Sequence, residues 1–236
     1  MIISHAHRFI FLKTEKTAGT SIEIALSEFC GPDDVITPIV AEDEAMRAEA
    51  GFPGPRNYDF GRRARTLKDA VRVVKGKPIG FRAHSPAAYV ARYAPAAAWR
   101  DYLKFTIVRN PFDCAISRHF WANRDGGAGA DAAAINAAIL AERPERLSNW
   151  PIYTIGDRIV ADVVVRYENL ADDLEALRLR LGLPTPLRTF RAKGGVRRNK
   201  AHYSEVLDAA ARARIEQVCG RELAAHGYRW ETPRDV

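Results

Sequence analysis

Three short apolar runs constrain this chain most. They are Arg8–Thr14 ("RFIFLKT"), Lys104–Arg109 ("KFTIVR") and Ile159–Arg166 ("IVADVVVR"). Each is close to continuously apolar and does not alternate, which is the pattern of a strand covered on both faces, as in a parallel sheet. A weaker run, "PIGFRAH", occupies 78–84. Helical patterns lie between and after them. Ser21–Phe29 is one. Pro111–Trp121 is a second, with Asn110 as cap, Pro111 in the first turn, and Phe112, Ile116 and Phe120 on one face. "NLADDLEALRLRLGL" carries leucines at 170, 174, 177 and 181 and stops at Gly182, with Pro184 beyond. The last pattern, over 204–225, places Leu207, Ala211, Ile215, Val218 and Leu223 on one stripe.

Strands alternating with helices predict an α/β fold with a central, mainly parallel sheet flanked by helices. The chain has 236 residues and shows no internal repeat or linker, so a single domain over 1–236 is expected. Two stretches read as irregular: "GFPGPRNYDFGRR" at 51–63 and the approach to the alanine-rich segment at 125–134.

Composition narrows the function. No apolar run approaches the roughly 20 residues that cross a bilayer, so no integral membrane segment is expected. The first residues lack the pattern of a secretory signal. Cys30, Cys114 and Cys219 are widely spaced and suggest neither a disulfide framework nor a metal knuckle, which points to a reducing cytoplasm. The six histidines form no HxxxH or HExxH pair, and no metal is expected. The net charge of +7 suits a polyanionic ligand. The basic residues are spread along the chain, with "RRNK" at 197–200 the densest group, so a nucleic-acid partner is not expected.

The first apolar run leaves through "KTEKTAGTS", residues 13–21, and enters a helix. Ligands of parallel α/β sheets bind beyond the carboxyl ends of the strands. A helix start there supplies free N–H groups and the positive end of the dipole. Ala18 and Gly19 allow close approach, Thr17, Thr20 and Ser21 add hydroxyls, and a lysine adds a point charge. The loop is not GxxxxGK[ST], because Lys16 precedes Gly19, so a magnesium-dependent kinase or ATPase is disfavoured. Taken alone, the loop also reads, second to an anion site, as a capped helix start with a solvated lysine.

The second strand–turn–helix, "FTIVRNPFDCAIS", ends its strand on Arg109 and carries Ser117 two turns into the helix. Arginine suits bidentate phosphate binding. Together, "KTAGTS" and "VRNP" with Arg109 and Ser117 eight residues apart resemble the sulfotransferases that use 3′-phosphoadenosine 5′-phosphosulfate (PAPS), and within them the bacterial and carbohydrate-type branch, sulfotransferase family 2. The likeness extends to "VVVRYENLADDLEALRLRLGLP" and to "HYSEVLDAAARARIEQVCGRELAAHGYRW". It implies a P-loop-like three-layer domain and sulfuryl transfer from PAPS to an acceptor hydroxyl, on a saccharide or glycolipid. It assigns Lys16, with Thr17, Ala18, Gly19, Thr20 and Ser21, to the 5′-phosphosulfate. Arg109 and Ser117 take the 3′-phosphate. This chain departs from the family at Glu15, where proline is common, and at Cys114, where a basic residue is common. A P-loop-like nucleotide-binding protein or small-molecule kinase is the alternative reading.

Transfer to a hydroxyl needs a base and charge stabilisation on the departing phosphate. Lys16 fits the second task. "FRAHSPAAY" sets His84 at a strand end, with Ser85 as cap and Pro86 opening a helix, so His84 should stand at the edge that bears both loops. The resemblance also favours a histidine here as base. His119 is the second candidate. Near the end, "RAKGGVRRNKAHY" combines Gly-Gly with basic residues, and the resemblance implies that this segment closes on the nucleotide and its 3′-phosphate, with Lys193 and Arg197 as its contacts. Trp121, one turn beyond Ser117, is placed to touch ligand or core. Tyr167 and Glu168 read as structural.

Overall fold

The computed structural model describes residues 1–61, 65–76, 79–124, 131–190 and 201–233. It is an α/β fold built on a five-stranded mixed sheet packed with helices. Its strands are β1 (Ile2–Ser4), β2 (Phe9–Leu12), β3 (Val35–Ile36), β4 (Leu103–Val108) and, after the hairpin β5 (Thr154–Ile155) and β6 (Arg158–Ile159), β7 (Val163–Arg166). The order is β3-β1-β2-β4-β7.

The three strands foreseen from apolar runs are the parallel part, β2 beside β4 and β4 beside β7. β1 and β3 join antiparallel, so the sheet is mixed. β1 folds back on β2 through a turn in which Arg8 takes the left-handed conformation, φ 52°. Leu12 lies opposite Thr106 and Val108 opposite Arg166, so the carboxyl ends of β2, β4 and β7 form one edge.

Side chains leave each strand alternately to the two faces. Phe9 and Phe11 pack with Phe105, Ile107 and Val165 under Ile22 and Leu26 of the helix Gly19–Ser27 and Leu177 and Leu181 of the helix Leu170–Leu181. Ile10, Leu12 and Val108 meet Phe81, Val90, Tyr93 and Tyr153 on the other face. A third apolar cluster joins the helix Pro111–Ala122 to Ala132–Ala141 and Ala209–His226 through Ile116, Phe120, Ile135, Ile139 and Ile215.

Among the described residues, no helix is long and apolar enough to cross a membrane. The run at 78–84 forms no strand in its described part, only an isolated bridge between Gly80 and Asp59. A Cβ on Gly80 would lie 2.4 Å from the Tyr58 carbonyl oxygen, so the two backbones meet too closely for a side chain.

Candidate functional site

The first loop separates its two lysines. Lys13 is buried, and its Nζ lies 2.6 Å from Oε2 of the fully buried Glu23. Burial opposes ionisation of Glu23, but the charges and hydrogen bonds of Lys13 and the Met1 amino group together outweigh it, and the carboxyl is held down to about 2. The Lys13 stem runs directly beneath Gly19, where a Cβ would sit 2.9 Å from Lys13 Cγ. Gly19 is therefore small for its own core as well as for any ligand. Lys16 points elsewhere: its Nζ lies 4.7 Å from the Trp121 ring centroid, with the Arg124 guanidinium 4.2 Å from the same ring.

From the second lysine onward the backbone is strained. Lys16 and Ala18 both adopt left-handed conformations, with φ 63° and 59°. Such positions cost roughly 1–2 kcal/mol each for residues with a Cβ, and cluster where function requires them. The left-handed Ala18 followed by helical Gly19 turns successive amides to one side. The amides of Gly19, Thr20 and Ser21 donate to no protein atom among the described residues. No side chain caps the helix and no acid stands in its first turn. The Thr17 hydroxyl is 2.9 Å from that of Thr14, which itself donates to the Ile107 carbonyl, so Thr17 shapes the loop from within.

A polar clamp holds the strained turn. Asn149 grips the Glu15 backbone from both sides, accepting from its N–H at 2.9 Å and donating to its carbonyl at 3.1 Å. Arg118 bonds the Glu15 carboxylate and reaches Asn149 Oδ1 at 3.2 Å. The buried Cys114 thiol lies 3.6 Å from the Glu15 carbonyl. Glu15 thus supplies both the N–H and the carboxylate that the clamp holds.

The second loop reaches the first through Arg109, which donates to the Lys16 carbonyl at 2.9 Å. Its other guanidinium edge faces Asp113, with Nε 2.8 Å from Oδ2, and its plane lies 4.0 Å from the Tyr167 ring centroid. Asn110 caps the following helix, and its N–H is held at 2.7 Å by Glu168, whose other oxygen accepts from Tyr228. Ser117 is half-buried one turn beyond Asp113.

His84 joins the same edge. Its Nδ1 is 2.9 Å from the Lys13 carbonyl. A carbonyl only accepts, so Nδ1 carries the proton and neutral His84 bears its lone pair on Nε2. Nε2 has no hydrogen-bond partner among the described residues. Burial, followed by the charge of Lys13, pushes the imidazole down to about 4, so His84 is neutral near pH 7. His119 does not share that position. It lines a cavity of ≈ 290 Å³ beside Lys16 and Trp121, together with Arg118, Arg124 and Glu142.

The structure therefore places Lys16 to Ser21, Arg109 and His84 along one sheet edge, with Ser117 on the helix that follows Arg109. Lys193 and Arg197 lie outside the described residues. Sequence reasoning missed Asn149, Arg118 and Asp113 as supports of the loops. Asp113 alone left a signal, since it stands four residues after Arg109 on a helix whose first turn favours an acid. No family model, curated protein or solved structure matches this chain.

Proposed function

We propose that the chain is a PAPS-dependent sulfotransferase of the P-loop-like, three-layer kind, acting as one cytoplasmic domain on an acceptor hydroxyl, with a carbohydrate the favoured class. One observation carries the reading. The base candidate is bonded to the backbone of the anion loop itself, through His84 Nδ1 and the Lys13 carbonyl. Proton acceptor and anion site thus share one rigid edge, as transfer to a hydroxyl requires.

The donor nucleotide enters as a substrate. The amides of Gly19, Thr20 and Ser21, with Lys16, suit its 5′-phosphosulfate. Arg109 and Ser117 suit the 3′-phosphate, with Arg109 sharing its guanidinium between that phosphate and Asp113. Lys193 and Arg197 remain the proposed closing contacts. His84 Nε2 accepts the hydroxyl proton while the acceptor oxygen bonds to sulfur and the bond from sulfur to the nucleotide phosphate oxygen breaks. Lys16 stabilises the charge left on that oxygen. A free-protein value of about 4 makes His84 a weak base. Donor anions held beside it raise that value towards the working pH, because nearby negative charge favours the protonated ring.

Titration calorimetry with adenosine 3′,5′-bisphosphate at low salt tests the binding half, and absence of heat refutes the reading. A panel of saccharide, glycolipid and small aromatic acceptors with sulfur-labelled PAPS then tests transfer.

A further inference from the structure

We infer that the helix Leu67–Val74 is an interfacial docking element for a membrane surface rich in anionic lipid. This does not depend on the sulfotransferase reading. Leu67, Val71 and Val74 are 83%, 46% and 87% exposed. At ~100° per residue they fall within about 60° of one another, forming a single outward stripe. The other exposed large apolar residues among those described, Val40, Leu140, Ile155 and Leu179, lie singly on separate elements and need no explanation.

The stripe is not a face that failed to pack, because the opposite side of the helix is pinned. Thr66 caps it by accepting from the Asp69 N–H at 3.1 Å. The Asp69 carboxylate is buried and accepts from the Thr66 hydroxyl and from Tyr93 Oη. Val73 packs on the core cluster that contains Phe81 and Tyr93. Arg65 lies 5.3 Å from the Tyr93 ring centroid.

Charge selects the occupant. Residues 65–76 contain four basic residues, Arg65, Lys68, Arg72 and Lys75, against the single acid Asp69. That acid is turned inward, so its charge is withdrawn from the outer face. The exposed Lys75 stands on one flank of the stripe, about 40° from Val71. An outward apolar stripe with a basic flank is the arrangement of helices that lie in the headgroup region of anionic bilayers. A second copy of this chain fits poorly, because the chain carries +7 and would present the same basic segment. A nucleic acid would leave the leucine and valines unused.

Co-sedimentation of the full chain with vesicles decides the matter. Binding is expected to vesicles of phosphatidylglycerol with phosphatidylcholine, to weaken with salt, and to be much lower on phosphatidylcholine alone. The double substitution Leu67→Ser, Val74→Ser should lower the affinity by about tenfold or more, since each buries a large apolar side chain in the interface. Lys75→Glu, at an exposed site that does not threaten folding, should also weaken it and flatten the salt dependence. The proposal is overturned if wild type does not sediment with the anionic vesicles, or if the double variant binds them as wild type does. It is equally overturned by concentration-dependent self-association that the double variant abolishes.

Discussion

The two lysines of the first loop should separate cleanly when each is replaced by alanine. Lys13→Ala removes the closest partner of a carboxylate that is 0% exposed. Glu23 then keeps Thr37 Oγ1 at 3.0 Å, the Met1 nitrogen at 2.8 Å and Arg47 at 3.8 Å. Breaking one side of a buried ion pair costs about 3–5 kcal/mol, and the remaining partners place this case near the lower end, about 3 kcal/mol. For a chain of 236 residues that lowers the Tm by about 6–12 °C. Lys16 is half-buried and lies over an indole, so Lys16→Ala should leave the Tm within about 2 °C. Its effect should fall on turnover, by roughly 10²–10³-fold, the size of loss seen when one preorganised charge-stabilising group is removed.

Calorimetric melting and initial-rate assays at saturating donor measure both quantities, with rates normalised to folded protein. The rate loss for Lys13→Ala should then stay within about tenfold, because its side chain lies beneath the loop and not at its mouth. Equal losses of turnover with no difference in Tm would refute the assignment. So would a stable Lys13→Ala variant, since it would mean that Glu23 does not need its partner. A double-mutant cycle with Glu23→Gln should give a coupling energy above about 1 kcal/mol, and a value near zero would also count against the pairing.

Three further outcomes follow from the same geometry. His84 is depressed to about 4 from an ordinary 6.5, so the unfolded chain binds the extra proton first; stability is full above pH 6.5 and falls by up to about 3 kcal/mol as pH drops towards 4. Urea denaturation between pH 4 and 7 should show this slope in wild type and a flatter one in His84→Asn. Asn149→Ala strips the Glu15 peptide of two hydrogen bonds and should cost about 1–3 kcal/mol in urea denaturation, together with a weaker affinity for adenosine 3′,5′-bisphosphate in calorimetry. Gly19→Ala forces a Cβ to within 2.9 Å of Lys13 Cγ, and because that lysine is pinned to Glu23 the melting assay should register about 1–3 kcal/mol of destabilisation.

What could be read in advance follows from range. The parallel strands announced themselves because both faces are buried, leaving near-continuous apolar runs at β2 and β4. The antiparallel additions did not, because three residues of β1 and two of β3 carry too little periodicity to stand out. The run over 159–166 was divided by Asp162, which turns aside to accept from the Lys104 N–H at 2.7 Å, so only Val163–Arg166 enters the main sheet. The last helical pattern was divided at Asp208, whose side chain accepts from the Ala211 N–H and starts a new helix after Tyr203–Val206. The apolar stripe continues across the break, from Leu207 to Ala211, and so conceals it.

The loop residues of the candidate site could be picked out from the sequence and their supports could not, for a physical reason. A loop with two left-handed non-glycine residues persists only if its surroundings over-determine it. Those surroundings come from far along the chain. The Ile107 carbonyl is 93 positions from Thr14, Arg109 is 93 from Lys16, Arg118 is 103 from Glu15, and Asn149 is 134 from Glu15. Each is an ordinary residue in its own segment, and only the fold gives it a purpose. Glu15 connects the two levels. Its N–H, carbonyl and carboxylate are each held from another element. The turn's rigidity therefore depends on the packing of the Pro111–Ala122 helix and the segment around Asn149, so loosening either should disturb the loop over Lys16–Ser21 without touching any residue that lines it.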